Sequence, residues 1–171
     1  MRAVWGSIAS VSVVTPEKQI VFVCWGNICR SPMAERVAQQ LASARGLTGV
    51  RFSSAATTRE EIGHAMDPRA QRALLAAGYR ADGHRARQIT AARIDDADLV
   101  LAMEQLHIDQ MRRIAPEADN LALLTDYDPA AVRGAGIEDP WYGTGDGFVV
   151  TLEQIERAVA GLLVRLENGE L

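Results

Sequence analysis

Cysteine is scarce: the chain of 171 residues carries two, Cys24 and Cys29. Two thiols cannot staple a scaffold, which excludes the disulfide-rich secreted class and fits a reducing compartment. Long hydrophobic runs are missing too, since no stretch approaches the roughly 20 apolar residues needed to span a bilayer. There is no basic excess either. With 18 Lys and Arg against 22 Asp and Glu, the formal charge is −4, which argues against nucleic acid as a partner because phosphate-backbone binders present a basic face. Lysine is nearly absent, with Lys18 alone beside 17 arginines, a bias read as compositional. His64, His84 and His107 lack ligand-like spacing, so no metal is expected. What the chain does have is apolar content, at 48%, enough to bury a core and exclude a largely disordered chain.

Residues 3–14 (AVWGSIASVSVV) are weakly apolar behind Arg2, but Gly and Ser dilute the run that a signal peptide would need. Residues 1–18 are therefore expected to lie outside the core, with the domain running over 19–171 and a cytoplasmic location. From there β-like and helix-like segments alternate. Residues 20–24 (IVFVC) form a continuous apolar run that suits a strand buried on both faces. A helix follows, with Pro32 expected at its first position, Met33, Val37, Ala38 and Leu41 on one stripe, and Gly46 as its stop. Further strands are expected at 50–54, 98–103 and 121–124. Helices are expected from Asp67-Pro68 to Ala77, over 105–114, and over 151–167. Between them, 125–147 reads as a long Gly-, Asp- and Pro-rich loop, a length more often functional than idle. The alternation predicts a doubly wound α/β fold with about four parallel strands, whose ligands bind beyond the strands' carboxyl ends.

At that end of the first strand stands Cys24-Trp25-Gly26-Asn27-Ile28-Cys29-Arg30-Ser31-Pro32. Backbone N–H groups in a loop that feeds a helix N-terminus favour an anion. Gly26 and Asn27 tolerate the positive φ that a tight wrap needs. Arg30 adds a planar fork for two phosphate oxygens, and the same positive field favours Cys24 as a thiolate nucleophile. Asp139-Pro140, taken alone, is an ordinary turn signal, and His84 alone reads as a surface or cap histidine.

The run VFVCWGNICRSPMAE resembles the signature loop of the low-molecular-weight protein tyrosine phosphatases. The likeness continues through FSSA (52–55), DPRA (67–70), HRARQI (84–89), DLVLAM (98–103), YDP (127–129) and EDPWYG (138–143). It implies a flavodoxin-like phosphatase fold and hydrolysis of phosphotyrosine and aryl phosphates through a phosphocysteine, with no cofactor. By this resemblance Cys24 is the nucleophile, Arg30 the clamp on the equatorial oxygens, and Asp139 the general acid and then base. Trp25, Gly26, Asn27, Ile28, Cys29, Ser31, Trp141 and Tyr142 would meet the substrate, with Ser31 donating to the thiolate. Ser54 and His84 would join Asn27 in holding the loop, Asn27 being left-handed. Expected partners are phosphotyrosine-containing proteins, not nucleic acid or membrane, with the chain a monomer or weak homodimer.

The chain departs from the family pattern at Ala55, where Gly is frequent, at Glu104 (Asp) and at His107 (Asn). Glu60 stands where eukaryotic members often place a Trp against the substrate ring. Recognition is then expected to lean on Trp25, Trp141 and Tyr142 and to disfavour acidic flanks. Cys29 is expected to capture an oxidised Cys24 as a reversible disulfide. Two alternatives share part of this pattern. Arsenate reductases on this fold pass a disulfide to a further cysteine, which this chain lacks beyond Cys29. A non-catalytic phosphotyrosine-binding module would need neither Cys24 nor Asp139.

Overall fold

The computed structural model describes residues 17–171. The expected extension therefore lies, for residues 1–16, outside the described residues. Strands β1 (Lys18–Cys24), β2 (Val50–Ala56), β3 (Leu99–Ala102) and β4 (Leu121–Leu123) form one sheet in the order β2-β1-β3-β4. All three pairings are parallel, with Phe22 opposite Ser54 on one side and Leu101 on the other. Helices α1 (Arg30–Ala44), α2 (Pro68–Ala76), α3 (Ala91–Asp95), α4 (Gln105–Ile114) and α5 (Gly145–Glu167) complete the α/β fold.

The strand β1 is buried on both faces, as its unbroken apolar run predicts. Ile20, Phe22 and Cys24 pack with Met33 and Val37 of α1 and with Phe148, Ile155 and Val159 of α5. Val21 and Val23 point the other way, into a second cluster with Val100, Ile94 and the α4 residues Ile108 and Met111. No helix among the described residues is long and apolar enough to cross a membrane.

Several boundaries move from their expected places. Helix α1 begins at Arg30 with Pro32 inside its first turn, a position proline tolerates because first-turn N–H groups have no intrahelical acceptor. Strand β2 continues to Ala56 because β1 pairs with it over its full length. Helix α3, absent from the sequence reading, is a single short turn capped by Thr90 and anchored by Ile94 alone, too brief to show a period. The long loop is shorter than expected. It contains 3-10 turns at Leu124–Tyr127 and Pro140–Tyr142 and ends at Gly145, where α5 starts. Gly145 and Gly147 are poor helix formers, but buried Phe148 fixes that first turn in the core.

From β1 the chain passes to β2 on one side and then to β3 on the other, so the order β2-β1-β3-β4 reverses direction between β1 and β3. In doubly wound sheets the crevice opens at that reversal, beyond the strand ends. The segments after Cys24 and after Ala102 both reach it.

Candidate active site

The loop from Trp25 to Cys29 runs directly from β1 into α1. Cys29 occupies the N-cap of α1 without any side-chain cap bond, leaving the first-turn N–H groups for an anion. Asn27 is the one described non-glycine residue with positive φ, at 57°. Its side chain holds that conformation by three bonds. Nδ2 donates to Ser31 Oγ at 2.8 Å and Ser54 Oγ at 2.9 Å, and Oδ1 accepts from Arg87 N–H at 3.1 Å. His84 Nε2 donates to the Asn27 carbonyl at 2.6 Å. Ser54 in turn donates to buried Glu35, whose carboxylate also accepts from Arg36 and Gln39. The expected loop-holding group is thus joined by Glu35 and Arg87, which lie within the runs 21–35 and 84–89 but to which the resemblance assigns no role.

Ser31 Oγ lies 3.0 Å from Cys24 Sγ. Asn27 donates to Ser31 Oγ, and the Ser31 hydroxyl proton can point either at the sulfur or at the Ala55 carbonyl at 3.3 Å. Asn27 and Ser31 are fully buried and do not line the cavity. Their side chains bond within the loop, to Ser54, to each other and to Cys24. Both cysteines are free. Burial, with Cys24 close by, pushes the Cys29 thiol up, so Cys29 stays protonated.

Arg30 is buried, yet its guanidinium reaches the cavity. Nη1 donates to Glu104 at 2.5 Å and to the Ile137 carbonyl at 2.7 Å, and Nη2 donates to Asp139 Oδ2 at 2.7 Å. Arg30 Nε is buried and donates to no protein atom, an orphaned cationic N–H beside the loop that suits an oxyanion. Asp139 lies 109 residues along the chain from Arg30. Its other oxygen accepts from Trp141 N–H at 3.1 Å, capping the Pro140–Tyr142 turn.

These groups surround a cavity of about 380 Å³. Cys24, Cys29 and Arg30 form its base, and Trp25, Trp141 and Tyr142 its aromatic rim. Gly26 and Ile28 complete the loop side, and Glu61, Leu106 and His107 also line it without having been expected there. At Gly26 a Cβ would lie 3.1 Å from the Glu61 side chain, so the close approach favours glycine. Glu60 does stand in the wall, and it accepts a hydrogen bond from Trp25 Nε1 at 3.1 Å. The carboxylate thereby helps to orient the Trp25 ring at the cavity. Among the described residues no group of three or more His, Cys, Asp or Glu is placed to hold a metal ion.

His107 is fully buried, and its Nδ1 accepts from Glu104 N–H at 3.1 Å. Burial, reinforced by the Arg30 charge, pushes its pKa down to about 3 from the ordinary 6.5. Burial also lowers His84, against the opposing pull of the Asn27 carbonyl. A lowered folded-state value means that the unfolded chain binds more protons below pH 6.5. This stability is fully present above about pH 6.5 and is lost as pH falls toward about 3. The urea midpoint should therefore drop between about pH 7 and pH 4, by on the order of 2 kcal/mol in stability, and His107→Asn should flatten that drop. A midpoint constant across the range contradicts the assignment.

The chain matches the family model of the low molecular weight phosphotyrosine protein phosphatases over residues 19–170. It is 42% identical over 155 residues to a low molecular weight protein-tyrosine-phosphatase of Streptomyces coelicolor, covering 88% of this chain and 94% of that one. Among solved structures it resembles a protein tyrosine phosphatase from Entamoeba histolytica with Hepes in the active site. The TM-score is 0.84 and the identity 28%, over 90% of this chain and 99% of that one. It also resembles Vibrio vulnificus Wzb in complex with benzylphosphonate, with TM-score 0.77 and 29% identity, over 87% of this chain and 99% of that one. The loop between β1 and α1, the four-stranded parallel sheet beneath it and these likenesses agree, and the chain belongs to the low-molecular-weight protein tyrosine phosphatase family.

Proposed function

We propose that this cavity hydrolyses phosphotyrosine by way of a phosphocysteine on Cys24. The observation that carries the reading is the meeting of Cys24, Arg30 and Asp139 around one cavity from distant parts of the chain. Cys24 sulfur attacks phosphorus while the ester P–O bond breaks, and Asp139 gives its proton to the departing phenolate oxygen. Asp139, now a carboxylate, takes a proton from water. The hydroxyl attacks phosphorus, the S–P bond breaks, and Cys24 leaves as a thiolate stabilised by Ser31. Arg30 and the loop N–H groups hold the equatorial oxygens throughout, where phosphoryl transfer needs most of its stabilisation.

Depth selects the ester. Cys24 is 2% exposed at the base of the cavity, so phosphorus must arrive on a long stem. A phenyl ring flanked by Trp25 and Trp141 supplies that length, and a serine methylene does not. The benzylphosphonate held by the Vibrio vulnificus protein has the same ring-and-phosphorus arrangement, which supports an aryl phosphate here. Substrates are then phosphotyrosine-bearing proteins, and the formal charge of −4 argues against nucleic acid as a competitor. The arsenate reductase alternative requires a third thiol that the sequence does not contain.

Acid quench during turnover of p-nitrophenyl phosphate, followed by peptide mass spectrometry, is expected to find phosphate on Cys24. Phosphotyrosine peptides should be hydrolysed faster than their phosphoserine counterparts. Enzyme free of covalent phosphate at every quench time, or a preference for phosphoserine, overturns the reading.

A further inference from the structure

Arg69, on the first turn of α2, connects the two halves of the site. Its fork grips Asp67 twice, through Nε to Oδ1 at 3.1 Å and Nη2 to Oδ2 at 3.0 Å. Asp67 N–H donates to the Ile28 carbonyl of the loop that wraps Cys24, at 2.8 Å. On its far side Arg69 Nη1 donates to the Trp141 carbonyl at 3.1 Å and reaches the Gly143 carbonyl at 3.4 Å. The guanidinium also lies between two rings, 5.2 Å from the centroid of Trp141 and 4.8 Å from that of Phe148. A chain of direct contacts therefore runs from Ile28 through Asp67 and Arg69 to Trp141, two residues beyond Asp139.

Arg69 shares the task of fixing this segment with Arg30, which bonds Asp139 and the Ile137 carbonyl, with the Asp139 cap on Trp141 N–H, and with buried Pro140. It alone links the segment to Asp67 and, through it, to the phosphate loop. Upstream of Asp139, buried Ile137 donates its N–H to the carbonyl of Met103, the residue after β3, at 2.7 Å. Downstream, the three-residue turn Pro140–Tyr142 is closed by one backbone bond, from Gly143 N–H to the Pro140 carbonyl. Trp141 and Tyr142 are exposed, so their own burial does little to hold the turn.

We propose that Arg69 is a positioning residue, which sets where Asp139 stands relative to the phosphate loop and fixes Trp141 as a cavity wall. Arginine suits the place because one flat cation supplies donors along its edge and two faces for stacking. Lysine offers a point charge and neither face. The Asp67 pair persists across the working pH range. Burial raises the Asp67 carboxyl, but the hydrogen bonds and charge of Arg69 outweigh it and hold the carboxyl below its ordinary value.

The role rests on the reading of Asp139 as the proton donor, and the experiment separates the two. kcat/KM is measured over aryl phosphates of rising leaving-group pKa for the wild-type chain, Arg69→Ala, Arg69→Lys, Asp139→Asn and the double variant Arg69→Ala with Asp139→Asn. A misplaced catalytic group costs up to about 10²-fold, so Arg69→Ala should lose about 10–10²-fold on the poorest leaving groups and much less on the best. Arg69→Lys should show the same slope in weaker form and serves alone if the alanine variant does not fold. The double variant should be no worse on poor leaving groups than Asp139→Asn, because a displaced acid that is already absent costs nothing more. Inhibition by inorganic phosphate should stay near the wild-type value. A loss equal across the series, or fully additive losses in the double variant, overturns the role of Arg69. A flat series for Asp139→Asn itself instead overturns the acid assignment on which it rests.

Discussion

Cys24→Ser should abolish turnover of aryl phosphates while leaving inorganic phosphate able to bind. The loss should be on the order of 10⁵–10⁶-fold, the scale seen when the nucleophile of a concerted unit is removed. A serine hydroxyl at this place has no base beside it. Its neighbour is Ser31 Oγ at 3.0 Å from the sulfur, a donor suited to an anion and not to taking a proton. The anion site is independent of that sulfur, because it is built from the uncapped start of α1 and from Arg30. Phosphate affinity, followed by calorimetry on the variant, is therefore expected to persist. Arg30→Ala should lose about 10³–10⁵-fold, the range an arginine contributes to phosphoryl transfer. It also leaves Glu104 and Asp139 facing each other without their shared cation. Arg30→Lys should recover little, since one ammonium cannot reproduce donors aimed at Glu104, the Ile137 carbonyl and Asp139 at once. Substantial hydrolysis by Cys24→Ser would sink the phosphocysteine route.

Asp139→Asn should slow substrates according to how badly their leaving group needs a proton. For poor leaving groups the expected loss is about 10²–10⁴-fold, the usual share of general acid–base catalysis, and for good ones it should shrink toward none. Asparagine is a close replacement. Its side-chain oxygen keeps the bond that Asp139 accepts from Trp141 N–H, so the turn survives. What it loses is the carboxyl that pairs with Arg30 at 2.7 Å when ionised and delivers the proton when protonated. The return of phosphate to water should slow too, because the proposed route uses the same residue as base in that step. A loss uniform across leaving groups would mean that Asp139 only holds Arg30 and the turn.

Much of this molecule is determined locally. The unbroken apolar run of β1, the Gly26-Asn27 pair, the Asp67-Pro68 start of α2 and helix α4 over 105–114 each depend on neighbours within a few residues. Chain direction and alternation then require a parallel sheet with a loop at its carboxyl end. The proposed nucleophile, anion cradle and clamp lie within nine consecutive residues, 24–32, which is why they are legible in the sequence alone.

The tertiary structure decided what depends on distant partners. Hydrophobic periodicity reports whether a side chain is buried, and says nothing about which polar atom it will meet. Glu104 and the Ile137 carbonyl become partners of Arg30 only because β3 lies beside β1 and the late loop folds back over both. Asn27 reads as a turn residue, yet its left-handed conformation is held by Ser54 and Arg87 from after β1. The first turn of α5 has the glycines of a loop and is helical because Phe148 is fully buried in the core. Arg69 lies in the run DPRA, but what it touches is decided by Trp141 and Phe148, which approach it from late in the chain. In each case the deciding term is a bond or a buried contact between segments far apart in sequence, which no local pattern carries.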